Sequence, residues 1–162
     1  LQKHKKMEFT SNVFGTYPTI YTGNYIPNGY LIRKSIFEKT GLFTLEAPLE
    51  DWYLMLQISK YAKMKYINEI LFSYRWHSTN TIKNKMRIRY ISDKTSKYED
   101  KILSMVDEKD VLPEVIAVKK DGVCYKKKGI PFLFEILLYK KPDKRFKIIK
   151  LFNLFSILKQ KR

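Results

Sequence analysis

Two short polar clusters bound the stretch from Glu50 to Thr81. The first is the acidic pair Glu50-Asp51, placed where a helix from Trp52 to about Ala62 is expected to begin. A carboxylate at the mouth of an element can take a proton from a hydroxyl within hydrogen-bond reach. The plainer reading is an acid favoured by the positive end of the helix dipole. The second cluster is Arg75, His77, Ser78, Asn80 and Thr81: a cation, a potential metal ligand or proton donor, and three hydrogen-bonding groups. A strand is expected to precede this cluster and a helix to follow it. Phosphates are commonly held at such a place by side chains and backbone N–H groups together. The plainer reading here is a polar strand end with an N-cap at Ser78 or Thr79.

The flanking chain must position these groups. Residues 16–30, with Gly15 just before them, carry Pro18, Gly23, Pro27 and Gly29 among Tyr17, Tyr21, Tyr25 and Tyr30. That density of Gly and Pro predicts turns. The tyrosines fit either loops over a site or the cap of a core. Gly29 to Arg33 reads as a strand. Ser35 and Glu38 fit a capping box for a short helix, Ile36 to Lys39, stopped by Gly41. Met64 to Ile67 and Ile70 to Trp76 read as strands, with Asn68-Glu69 as the turn between them. From Ile82 to Val106 the periodicity is helical and charged, and Pro113 opens another short helix. Asp121-Gly122 permits a small hairpin. Ile130 to Tyr139, with Pro131 at a helix N1 position, and Arg145 to Arg162 are expected to be helical. A short helix ending near Phe14 is expected at the start.

Composition sets the broad class. The 162 residues, 44% apolar, suffice for one packed core. The net charge is +16, which favours an anionic partner such as nucleic acid, an acidic membrane or a phosphorylated substrate. From Lys119 onward there are fourteen basic residues against three acidic ones. Phenylalanines lie beside them, a combination suited to an anionic membrane surface. A helix packed on its own domain, with snorkelling lysines, explains the same residues. Nucleic acid has no helix-turn-helix, zinc-finger or RNA-binding signature in its support. The single cysteine, Cys124, excludes an internal disulfide and a cysteine metal cluster, and reads as a small part-buried residue. No apolar run reaches the roughly 18 residues of a spanning helix.

Residues Gly29 to Phe43, the Glu50-Asp51-Trp52 run and Tyr74-Arg75-Trp76-His77-Ser78-Thr79-Asn80-Thr81 together resemble the family 2 glycosyltransferases in order and spacing. In that family a strand with an Arg-Lys-like pair leads to a short helix and a Gly-(Leu/Phe)-Phe stop. A Glu-Asp pair then opens a helix, and a strand pair ends in Tyr-Arg-x-His. The match covers Ile26 to about Lys83, roughly a third of the chain. It implies an α/β fold: residues 1–84 as the acceptor-side C-terminal part of a GT-A, Rossmann-like domain, and residues 85–162 as a mostly helical basic extension.

The resemblance further implies inverting transfer of a sugar from a nucleotide-sugar donor to a glycan or lipid-linked acceptor. Asp51 would be the base, supported by Glu50. Trp52 and Arg33 would lie on the acceptor side. Arg75, His77, Ser78, Asn80 and Thr81 would face the donor diphosphate, with His77 near a divalent metal, Mg or Mn. Tyr53 and Gln57 stand where the family commonly has Asp and Arg. No Asp-x-Asp occurs in the sequence, so the metal would be held mainly by a nucleotide-binding half outside it. The chain opens on Leu1 and is expected to be a segment of something longer. Its expected place is the inner face of a bacterial membrane, as a peripheral cytoplasmic protein. The competing expectation is a non-catalytic basic module for an anionic membrane or nucleic acid. A degenerate transferase acting as an assembly partner is a third.

Overall fold

A computed structural model describes residues 14–23, 25–26, 29–44, 49–67, 69–73, 75, 77–80, 83–130, 134–142, 144–151 and 155–160. Its elements are α1 (Tyr17–Ile20), α2 (Phe37–Thr40), α3 (Glu50–Ser59), α4 (Lys85–Ser104), α5 (Pro113–Asp121), and strands β1 (Val123–Ile130), β2 (Phe134–Lys141), β3 (Lys144–Leu151) and β4 (Phe155–Gln160). The chain is therefore mixed α and β, with an antiparallel four-stranded sheet in the order β1-β2-β3-β4.

Local chemistry accounts for several helix ends. Asn84 caps α4, its Oδ1 accepting from the Arg87 N–H at 3.0 Å. Pro113 opens α5, where its missing N–H costs nothing. Gly122 closes α5 at φ 74°, a conformation that disfavours a side chain. The Asp121-Gly122 pair is thus a helix stop rather than the turn of a hairpin. Gly41 stops α2 at φ 68°, as its position suggests. The capping box at Ser35 does not form: Ser35 lies within a 3-10 turn, Lys34–Ile36, preceded by Arg33 without a side-chain cap.

The helical core has two buried clusters. One gathers Ile20, Trp52, Leu54, Met55, Leu56, Ile58 and Ile102. The other gathers Tyr17, Tyr21, Leu103, Val106, Val115 and Val118. Both α1 and α4 contribute to each cluster, so these two helices bind the halves together. The tyrosines of α1 and its C-cap are core residues, fully buried. Thr95, Glu99, Ile102 and Leu103 recur at helical spacing on the buried face of α4.

The principal correction concerns the basic extension. Residues expected to form helices over Ile130 to Tyr139 and Arg145 to Arg162 form strands β2, β3 and β4. A helical wheel of the last segment leaves Phe146, Ile149 and Ile157 outside its apolar arc and Lys147 inside. Those misfits arise because the residues obey a cross-strand register instead. Ile149 lies opposite Ile136 and Ile157, and Lys147 lies opposite Leu138 and Lys159. Two residues, 142–143, join the register pair Lys141 and Lys144 into a tight hairpin. Conversely, residues 29–33, 64–67 and 70–73, expected within strands, run without a strand ladder among the described residues. The helix expected before Phe14 and the role of Pro131 lie outside the described residues. Cys124 is exposed rather than part-buried.

The sheet is fastened to the helices by a buried polar network. Lys140 on β2 donates to the Glu99 carboxylate on α4 and to the Tyr21 carbonyl, the latter at 2.6 Å. Its ammonium also lies 4.0 Å from the centroid of the Tyr21 ring. The other Glu99 oxygen accepts from the Trp52 indole N–H at 2.9 Å. Tyr21 Oη donates to Asp100 at 2.6 Å, and Arg145 pairs with the second Asp100 oxygen at 2.6 Å. Burial pushes Lys140 below the ordinary lysine range, and Glu99 partly opposes that shift. Burial raises Tyr17, with Glu99 and Asp100 adding to the effect. It also raises Tyr21, reinforced by the hydrogen bond to Asp100.

The sign of the alkaline response follows. Tyr17 and Tyr21 stay protonated in the folded chain beyond the pH, about 10, at which they ionise when unfolded. Their contribution is complete below that pH and is lost as pH climbs through the folded values. Lys140 acts oppositely, but its effect ends once pH passes its unfolded value near 10.5. Stability is therefore expected to fall steeply above pH 10. Tyrosinate absorbance should show Tyr17 and Tyr21 ionising only as the chain unfolds, and Tyr21→Phe should remove one silent tyrosine from that titration.

Candidate active site

Glu50 and Asp51 occupy the first turn of α3. The helix therefore begins at the acidic pair and ends at Ser59, slightly earlier at both ends than the sequence predicts. Leu49 supplies no side-chain cap. Asp51 Oδ1 instead accepts from the Trp52 N–H at 2.6 Å. An acid therefore occupies one of the helix's orphan donors while its second oxygen remains for other work. Glu50 is exposed and Asp51 half-buried.

Tyr30 is the neighbour that sequence reasoning did not single out. Burial raises its phenol above the usual tyrosine value, and the charges of Asp51 and Glu50 add to that shift. Tyr30 packs against the core cluster that holds Trp52, as does Ile32, whereas Leu31 between them is fully exposed. This in-out alternation is strand-like even without a ladder. The density of tyrosines before residue 30 was the available signal.

Gly29 links this corner to the second polar cluster. Its φ is 116°, and a Cβ there would lie 2.7 Å from two atoms of the Phe72 ring. Phe72 thus seats directly against the backbone beside Tyr30, and the segment leading to Arg75 and His77 is held at that point. Beyond Phe72 the chain folds on itself. The His77 N–H donates to Asn80 Oδ1 at 2.5 Å, and Asn80 Nδ2 donates to the Arg75 carbonyl at 3.4 Å. His77 Nδ1 is 2.8 Å from Thr79 Oγ1, which orients the ring and leaves Nε2 for a ligand.

The expected residues therefore divide. Glu50, Asp51 and Tyr30 form one corner. Arg75, His77, Ser78 and Asn80 form an exposed turn, in which Asn80 closes the loop with both ends of its amide. Among the described residues, neither carboxylate hydrogen-bonds or ion-pairs with Arg75 or His77. Trp52, expected on the acceptor side, is 1% exposed and spends its indole N–H on Glu99. Arg33 is exposed and precedes the 3-10 turn. Thr81 lies outside the described residues.

Among the described residues no three His, Cys, Asp or Glu side chains come together to hold a metal ion. His77 alone offers one nitrogen, which does not make a metal centre. No family model, curated protein or solved structure matches this chain.

The Gly29–Phe72 contact predicts a specific sensitivity. Gly29→Ala adds both a clash and backbone strain, and should lower stability by about 1–3 kcal/mol. Adding Phe72→Ala should relieve the clash but not the strain. Urea denaturation of the single and double variants measures the two shares.

Proposed function

We propose that this chain forms the acceptor-side part of an inverting glycosyltransferase. The observation that carries the reading is the acidic pair at the start of α3, facing Tyr30. Asp51 keeps one oxygen on the Trp52 N–H and has the other available to receive a proton. In this reading Asp51 takes the proton of an acceptor hydroxyl as that oxygen attacks the anomeric carbon of the donor sugar. Glu50 orients the same hydroxyl or supports the charge on Asp51. Arg75 and His77 meet the negative charge that develops on the departing diphosphate. The resemblance of residues 26–83 to family 2 glycosyltransferases supports this assignment, as does the approach of Phe72 to the backbone at Gly29, next to Tyr30.

The donor is a nucleotide sugar, and the acceptor is a glycan or lipid-linked hydroxyl. A divalent metal in such a reaction would need ligands beyond those described, so no step is assigned to it. The reading places the protein at the cytoplasmic face of a membrane, where lipid-linked acceptors are presented. Among the described residues, no helix is long and apolar enough to cross a membrane.

Asp51→Asn in the complete polypeptide tests the assignment. It keeps an acceptor for the Trp52 N–H and removes the base. Transfer from a panel of nucleotide sugars, followed by release of nucleoside diphosphate, should fall by about 10²–10⁴-fold. The thermal midpoint should be unchanged. Normal transfer by a folded Asp51→Asn protein would refute the role of Asp51.

A further inference from the structure

Helix α4 has one side in the core and the other bare. Ile91, Thr95, Glu99, Ile102 and Leu103 are buried. At about 100° per residue they share one side of the helix. The opposite side, about 120° wide on the same count, holds Arg87, Lys94, Lys97 and Lys101, all exposed. Among the described residues no carboxylate lies within ion-pair distance of these four cations. Asp93 stands at the margin of the same face, exposed and paired with none of them.

Large apolar side chains stand on the same bare face. Met86, in the first turn, is 84% exposed, Tyr90 58%, and Met105, the C-cap, 74%. The Lys94 ammonium lies over the Tyr90 ring, 4.4 Å from its centroid. The face therefore begins and ends on a methionine, the two about 28 Å apart at the helical rise of 1.5 Å per residue. The cations and the tyrosine lie between them. A single exposed apolar side chain is ordinary. Three along one line, interleaved with four cations that have no carboxylate partner, mark a contact surface.

We infer that this face of α4 lies flat on an anionic lipid bilayer. The inference deepens the membrane placement in the proposed function and rests on that reading for its biological setting. It puts the contact on α4 rather than on the basic extension. The occupant follows from charge and shape. The buried centre of a protein interface is depleted of lysine. A bilayer interface accepts lysines, whose stems lie along apolar groups while the ammonium reaches headgroup phosphates. It also takes a tyrosine at headgroup level. Nucleic acid would satisfy the cations alone. A duplex major groove is about 12 Å wide and winds about its axis, so a straight face about 28 Å long leaves it before the far methionine is reached. A plane meets both methionines and every cation between them at once.

Sedimentation with vesicles of phosphatidylcholine, with and without phosphatidylglycerol, tests this on the full chain. The protein should pellet with the mixed vesicles and much less with phosphatidylcholine alone. Lys94→Gln, Lys97→Gln and Lys101→Gln together should weaken association by about a hundredfold, at about fivefold per lysine. The net charge alone does not produce this loss. Lys34→Gln, Lys63→Gln and Lys65→Gln, exposed lysines outside α4, remove the same charge and should cost less than a tenth as much. Met86→Ser with Met105→Ser should weaken binding by about tenfold. Tyr90→Trp should add a blue-shifted component to the emission on mixed vesicles, and circular dichroism confirms that each variant folds. Asp51→Asn should bind vesicles as the wild type does, which separates failure of docking from failure of the catalytic assignment. The inference is overturned by absence of binding to mixed vesicles, or by an equal loss from the two lysine sets. Tighter binding to a DNA duplex that the α4 lysine changes abolish would overturn it too, as would self-association without vesicles that the methionine changes abolish.

Discussion

A carboxylate and an ammonium buried together, Glu99 and Lys140, hold this molecule in one piece. Each is about nine-tenths or more removed from solvent, so neither is tolerable without the other. The pair reaches further than two residues. The second Glu99 oxygen fixes the Trp52 indole on α3, and Lys140 also fixes the carbonyl and ring of Tyr21 at the end of α1. Helices α1, α3 and α4 and strand β2 therefore meet at a single ionic contact. Asp100 repeats the arrangement one residue on, with Tyr21 and Arg145. Neutral apolar residues could fill the same space. The ionic version also sets which strand residue docks, because only the Lys140 position of β2 brings a cation to Glu99.

That constraint has consequences for the candidate site. Asp51 precedes Trp52, and Trp52 is anchored at both its backbone N–H and its indole N–H. The start of α3 is thus tied to the core through the residue next to the proposed base. Held from below in this way, the acidic corner needs only Tyr30 and the Gly29–Phe72 contact to define its open side. By contrast, the turn around His77 is closed by its own Asn80 and Thr79. A self-closed turn can keep its shape while its distance from Asp51 changes.

The helices of the first two-thirds were legible because their signals are local. Pro113, Gly41, Gly122 and the acids of α3 act within one turn of their positions. The buried face of α4 follows a helical period that any core-facing helix must obey. The extension was misread because short apolar runs broken by lysine satisfy either period. Cross-strand partners such as Ile136, Ile149 and Ile157 are far apart in sequence, and only their register reveals a common face. Glu99, Lys140, Asp100 and Arg145 looked like ordinary surface charges, since nothing near them in sequence announces burial. The acidic pair and the Tyr-Arg-x-His run were legible as motifs. Tyr30 was not, because its significance comes from a fold that carries residue 30 back to residue 51.

The Glu99–Lys140 contact is open to a direct thermodynamic test by chemical denaturation of Glu99→Gln, Lys140→Met and the double variant. Lys140→Met leaves the carboxylate buried without its cation and should cost about 3–5 kcal/mol. Glu99→Gln keeps an acceptor for Trp52 and should cost less. The double variant should be more stable than the sum of the two losses implies, by about 0.5–3 kcal/mol of coupling. If both single variants lie within about 0.5 kcal/mol of the wild type and their effects add, the pair does not hold the sheet to the helices.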